Sequence, residues 1–206
     1  MERYLLEDGS EIQTLPPDDA DLARCFLLNI SEEEQWEMPL GALDSHAHAS
    51  VFFVHMDGAE ICGAIRLVLG SAGERLPILD VWPELPLIDR QDVAELSVLA
   101  LGHDTRGTAR SFLPLSAEMW RYCVLHDVEE LWAELEPRML RVYPRFGWPF
   151  QAMGELRTYW GDLSYPCCMS VLAAGEQYRK RALESTSYRA AVLQAIRGTP
   201  YKDWLT

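Results

Sequence analysis

Lysine is nearly missing from this chain of 206 residues: Lys180 and Lys202 are the only two among 18 basic side chains, against 32 acidic ones. The net charge of −14 should repel bulk nucleic acid and anionic membrane surfaces, so neither is an expected partner. Any anionic partner would need a local arginine patch. No apolar run approaches the roughly 18 residues that a bilayer-spanning helix requires. The acidic start MERYLLEDGSE has no apolar signal segment, so a soluble cytoplasmic protein is the expectation. No C-x-x-C pair occurs among Cys25, Cys62, Cys123, Cys167 and Cys168, and the count is odd. Reduced core thiols are expected, rather than disulfides or a zinc site. Adjacent Cys167 and Cys168 would face opposite sides of a strand. The P-loop, the GxGxxG fingerprint and a Ser/His/Asp signature are all missing too.

What is present is globular in character, with 49% hydrophobic and 24% charged residues. The length suffices for a sizeable core, and a single domain over 1–206 with a helical tail from about 175 is expected. DDADLARCFLLNI at 18–30 reads as a helix capped by Asp18 or Asp19, with Leu22, Cys25, Phe26 and Ile30 as its apolar stripe. Two β-rich runs between 50 and 69 flank Asp57-Gly58, a strong hairpin signal. VAELSVLAL at 93–101 reads as a buried strand, and 111–125 as a helix. VEELWAEL at 128–135 fits either state. A short helix around Pro137 should end early at Pro144, and RTYW and CCMSVL read as late strands. The order predicts a mixed sheet flanked by helices.

Glu95 is the misfit inside VAELSVLAL, because burying a carboxylate is costly. Period-two counting places Val93, Glu95, Ser97, Leu99 and Leu101 on one face. Glu95 is then either a solvated or arginine-paired strand-end residue, or a carboxylate facing a cleft as a base or a cation clamp. Arg66, among apolar neighbours at the end of the hairpin, could form an ion pair or hold one end of a zwitterionic ligand. His46 and His48 lie beside Asp44 in DSHAHAS, but no third ligand has suitable spacing, so no metal is expected.

The order of these pieces resembles the acyl-homoserine-lactone synthases, the LuxI-type autoinducer synthases of the GNAT acyltransferase superfamily. The pieces are a helix followed by QWE at 35–37, LD at 43–44, a hairpin ending in GAIRLVL, LPILDVWPEL, ELSVLAL and RFGWPFQAMGEL. The resemblance spans roughly residues 20–172. It implies an α/β (α+β) fold with a mostly antiparallel, twisted sheet and splayed central strands. It implies catalytic roles for Glu95, Asp44 and Arg66, and substrate contacts from Trp36, Arg24, Trp82 and Ser97. Arg138, Arg141 and Arg145 resemble the family's basic carrier-docking positions. The implied reaction joins the amine of S-adenosylmethionine to an acyl group from an acyl carrier protein or coenzyme A. Lactone closure then releases methylthioadenosine as a quorum-sensing signal is made. Both molecules are substrates, and no cofactor is implied. The chain departs from the pattern at Val98, where the E-x-x-R arginine belongs, and at Gly41, where the first aspartate falls. Arg24 meets the first-helix arginine only if the following loop is two residues longer; otherwise Phe26 falls there. Two alternatives stay open: an N-acyltransferase acting on another amine such as an amino acid, and a non-catalytic ligand-binding domain.

Overall fold

The computed structural model describes residues 2–73, 75–103 and 109–204. The chain runs through β1 (Glu2–Leu5), β2 (Glu11–Leu15), α1 (Asp21–Glu33), β3 (Ser50–Asp57), β4 (Glu60–Leu69) and β5 (Val93–Leu101). It continues through α2 (Ala109–Leu125), β6 (Glu130–Leu135), α3 (Met139–Val142), β7 (Gln151–Ala152), β8 (Arg157–Tyr159), β9 (Asp162–Ser170), α4 (Val171–Glu184) and α5 (Thr186–Ala195). The strands form one sheet in the order β1-β2-β3-β4-β5-β6-β9-β7, with β8 added onto β9. Every pairing is antiparallel except β5 with β6. Those two run parallel for three rungs, Val93–Glu130, Ala94–Leu131 and Glu95–Trp132, and then separate. The splayed central strands that the family resemblance implies are therefore present.

The β3–β4 hairpin forms where Asp57-Gly58 places it, with Gly58 at a φ of +63 that glycine adopts without a Cβ penalty. VEELWAEL resolves to a strand because both of its faces are covered. Leu131, Ala133 and Leu135 enter the main core, while Trp132 packs against Trp82 and Val93 on the other side. α2, α4 and α5 cover one face of the sheet through Leu115, Met119, Trp120, Tyr178 and Val192. α1 and the 76–87 segment cover the opposite face. Burying side chains of this size contributes about 1.5–3 kcal/mol each.

Three local expectations are corrected. Ala20 precedes α1 without a side-chain cap, because Asp18 and Asp19 belong to a preceding 3-10 turn at Pro17–Asp19. The buried stripe of α1 is Ala23, Leu27, Ile30 and Ser31; Leu22 and Cys25 face outward, so Cys25 is not a core thiol. The tail is helical from Val171, where Ser170 caps α4, and it packs into the main core. β1 and β2 carry no period-two signal strong enough to have been read as strands. All five cysteines are free, and Cys167 and Cys168 do face opposite cores. Among the described residues no helix is long and apolar enough to cross a membrane.

Candidate active site

A β-bulge organises the centre of the molecule. Arg66 pairs with Val98, but Leu67 pairs with Leu96, so Ser97 is an extra residue in β5. This breaks the face predicted by simple alternation. Val93 and Glu95 lie on the α1 side before the bulge, and Val98 and Ala100 lie there after it. Leu99 and Leu101 pack instead against the opposite core.

Two cavities meet at Ser97. One, of about 260 Å³, lies in the splay between β5 and β6 and is lined by Trp36, Leu99, Glu134, Met139 and Tyr143, among others. The second, of about 330 Å³, lies beside the 39–46 loop, with Arg66 and Asp80 in its wall. Ser97, Tyr159 and Trp160 line both. Tyr159 and Trp160 stack at 4.8 Å, and the Glu37 N–H donates to the Trp160 carbonyl, which fixes the loop carrying Trp36 against this wall.

Arg66 is only 1% exposed. Its Nε donates to Ser50 Oγ at 3.1 Å, Nη1 to the Ala42 carbonyl at 2.9 Å, and Nη2 to the Ser45 carbonyl. The guanidinium thus pins the 42–50 loop to β4. Burial pulls its pKa down to about 10, opposed chiefly by the charge of Glu95. Glu95 is fully buried, and its Oε2 accepts the Ile78 N–H at 2.7 Å. Burial pushes its carboxyl up to about 8, against the Ile78 N–H and the field of Arg66. Glu95 itself lines neither cavity.

The remaining expected residues divide. Trp36 and Ser97 line the splay cavity. Asp44 is exposed and lines neither cavity, though its charge reaches Arg66. Arg24 lies over the Phe52 ring at 5.5 Å and pairs with Asp21 at 3.1 Å, away from both cavities. Trp82 is a core residue, 0% exposed, with Nε1 donating to the Glu155 carbonyl at 2.8 Å. Arg138, Arg141 and Arg145 are exposed around α3 and the following 3-10 turn at Tyr143–Phe146. His46 lines the second cavity, and no group of three metal-ligating side chains exists among the described residues. Glu134, Tyr159 and Trp160 were not singled out in the sequence. Glu134 repeats the signal of Glu95, a carboxylate inside an apolar strand, in LWAEL.

A mixed sheet splayed beside a bulged strand, with cavities converging on the bulge, is a GNAT-type fold. A protein from Desulfovibrio desulfuricans assigned to the GNAT family superposes with a TM-score of 0.55 at 16% identity, over 79% of this chain and 99% of its own. BjaI, a coenzyme A-dependent acyl-homoserine lactone synthase solved with SAM and isopentyl-CoA, gives 0.67 at 19% identity, over 91% of this chain and 99% of its own. FeeM, an N-acyl amino acid synthase from uncultured soil microbes, gives 0.59 at 18% identity, over 82% and 95%. No curated protein matches the chain at a significant level. Residues 28–173 match the family described as N-acyl amino acid synthase FeeM, and the chain belongs to that family of N-acyltransferases.

Proposed function

We propose that this protein transfers an acyl group from an acyl thioester to the primary amine of an α-amino acid. The observation that carries the reading is the convergence of two cavities on the Ser97 bulge, with a buried carboxyl pair behind it. The splay cavity, walled by Leu99, Leu135 and Met139, suits the acyl arm. The second cavity suits the acceptor, whose carboxylate is complemented by the charge of Arg66. Meeting at Ser97, the two substrates are held in reacting orientation.

The neutral amine attacks the thioester carbon. A C–N bond forms, the C–S bond breaks, and the thiolate leaves. Beyond Glu95 the facing edges of β5 and β6 have no mutual ladder, so the β5 edge at 96–99, which lines the splay cavity, can turn backbone N–H toward the developing oxyanion. The amine must give up a proton, and the carboxyls behind the bulge, raised by burial, are the bases the site offers.

The choice of an amino acid over S-adenosylmethionine is supported by the matched family and by three positions. Val98 packs in the α1-side core where the lactone-synthase motif has arginine. Gly41, at a φ of +77, replaces the first aspartate, and Asp44 lies outside the cavities. A second reading, acyl-homoserine-lactone synthesis from S-adenosylmethionine, is favoured by Trp36, which lines the splay cavity at the family's tryptophan position. The donor is an acyl carrier protein or acyl-coenzyme A, both anionic around the thioester arm. We assign its approach to the Arg138, Arg141 and Arg145 segment, whose Met139 and Tyr143 line the splay cavity.

Free-thiol release from a panel of acyl thioesters, with each amino acid or with S-adenosylmethionine, tests the reading. Release that requires an amino acid and yields its N-acyl derivative is expected. Release that requires S-adenosylmethionine and yields a lactone and methylthioadenosine selects the second reading. No release with either acceptor would refute acyl transfer and leave a binding domain.

A further inference from the structure

Glu95 is sealed from both cavities, so a proton lost by an amine in the cleft cannot reach it directly. Glu134 supplies what Glu95 lacks. It lies on β6 two residues beyond Trp132, the last residue paired with β5, and therefore on the same sheet face as Glu95. It lines the splay cavity. Its Oε1 is buried without a donor, and so is Oε1 of Glu95, whose other oxygen is held by Ile78. Two bare acceptor oxygens on carboxyls within hydrogen-bonding reach of each other repel. A single O–H between them satisfies both.

We propose that Glu134 and Glu95 form a proton-sharing carboxyl pair in which Glu134 is the member that meets the reacting amine. The inference rests on the acyl-transfer reading above. Charged and titratable neighbours surround the pair: Arg66 from β4, Asp80 from the 77–80 turn and Tyr159 from β8, while Cys167 of β9 feels Glu134 from the opposite face of the sheet. Arg66 is the one cation among them, and it favours one negative charge on the pair over two. Burial raises both carboxyls; the hydrogen bond between them lowers Glu95, while that bond and the Glu95 charge raise Glu134 further, so the pair keeps a proton at neutral pH.

The proton balance is complete. The acceptor arrives as an ammonium, and the singly protonated pair takes one proton through Glu134 and passes it to solvent along the open cavity. The neutral nitrogen then adds to the thioester carbon. Its second proton goes to Glu134 as the C–S bond breaks, and the pair returns that proton to the departing thiolate. Glu95, which touches no substrate, acts as a positioning residue.

Glu134→Gln tests this, because the amide keeps a donor toward Glu95 but cannot exchange a proton. With intact protein, kcat should fall about 100-fold or more while the KM for thioester holds within about threefold. Glu95→Gln should lower kcat as well and abolish the rise of rate with pH that the pair contributes. Carboxyl infrared titration without substrate gives an independent readout. The wild-type minus Glu134→Gln difference should show a protonated carboxyl persisting above about pH 7. Glu118, also raised, is common to both proteins and cancels. Absence of that band overturns the pair. A band with unchanged kcat overturns the catalytic role. If wild type turns over no thioester, the acyl-transfer reading fails separately, and the infrared difference still decides whether the pair exists.

Discussion

Val98 lies opposite Arg66 across the β4–β5 ladder, and Leu96 opposite Leu67, which leaves Ser97 without a partner on β4. The Ser97 hydroxyl is buried and accepts or donates no hydrogen bond among the described residues. An unsatisfied buried hydroxyl costs about 1–3 kcal/mol. Ser97→Ala should therefore be neutral or raise stability by about 1 kcal/mol, read as an increase in Tm. The same change should lower kcat/KM about tenfold, since Ser97 lines both cavities. A fall in Tm would show that the hydroxyl has a partner in the folded protein.

Arg66 spans three acceptors at once: Ser50 Oγ and the carbonyls of Ala42 and Ser45. Lysine offers a compact ammonium that cannot reach all three from one position. Arg66→Lys should cost about 2 kcal/mol in urea unfolding, because the buried charge loses part of its hydrogen bonding to Ser50 and to the half-buried Ala42 and Ser45 carbonyls. Its effect on turnover should fall on the acceptor, since the 42–50 loop borders the second cavity and not the splay cavity. The acceptor KM should rise about tenfold with the thioester KM nearly unchanged. Equal effects on both constants would mean that the loop serves the whole site.

Alternation and turn chemistry made much of this fold legible. Asp57-Gly58 located the hairpin, the apolar register of 111–125 located α2, and VAELSVLAL was legible as the strand that here carries the bulge between the two cavities. The face assignment within β5 failed past Glu95, because a bulge is a relation between two strands and period-two counting sees one. Trp82 and Trp36 look alike in the sequence, yet one is sealed in the core and the other walls a cavity. Which tryptophan is enclosed depends on the path of the 76–87 segment, a tertiary fact. Glu134 carried the same signal as Glu95 but stood in a stretch that fitted helix as well as strand. Without the strand assignment its face could not be fixed.

Glu118 predicts a pH dependence far from the site. It is 4% exposed on α2, near Thr14 Oγ1 at 3.4 Å and Arg121 Nη1 at 3.3 Å, and Arg121 also reaches Glu2 at 2.9 Å. Burial pushes its carboxyl up to about 7 from an ordinary 4.5, with Arg121 opposing. An acid raised on folding binds its proton more tightly in the native state. Its contribution is thus fully present below pH 4.5 and is lost as pH rises to about 7. The loss amounts to about 3 kcal/mol. Glu118→Gln keeps an acceptor for Thr14 and Arg121 without the titration. Urea unfolding of the variant should show a flatter pH dependence across that window, and a parallel profile would remove Glu118 as its source.

Arg141 and Arg145 stand four residues apart across the junction of α3 with the Tyr143–Phe146 turn, and both are exposed. Arg138 is exposed as well, but Glu136 holds it at 2.8 Å and offsets its charge. The free positive field near the splay cavity is therefore concentrated on Arg141 and Arg145, in a chain whose net charge is −14. An acidic carrier protein meets net repulsion from such a chain, so this patch beside the splay cavity should govern encounter more than chemistry. Reversing both charges, Arg141→Glu with Arg145→Glu, should raise the KM for an acyl carrier protein at least about tenfold at low salt. The penalty should shrink as ionic strength rises, because exposed charges are screened beyond about 10 Å at 0.1 M salt. Thermal stability should hardly move, since surface substitutions of this kind usually shift it by less than about 0.5 kcal/mol. Steady-state kinetics at two salt concentrations, with carrier-linked and coenzyme A-linked donors side by side, reads the result. A loss confined to the carrier-linked donor assigns docking to this segment. A loss shared equally by both donors and insensitive to salt would place the two arginines in a solvated face with no part in donor choice.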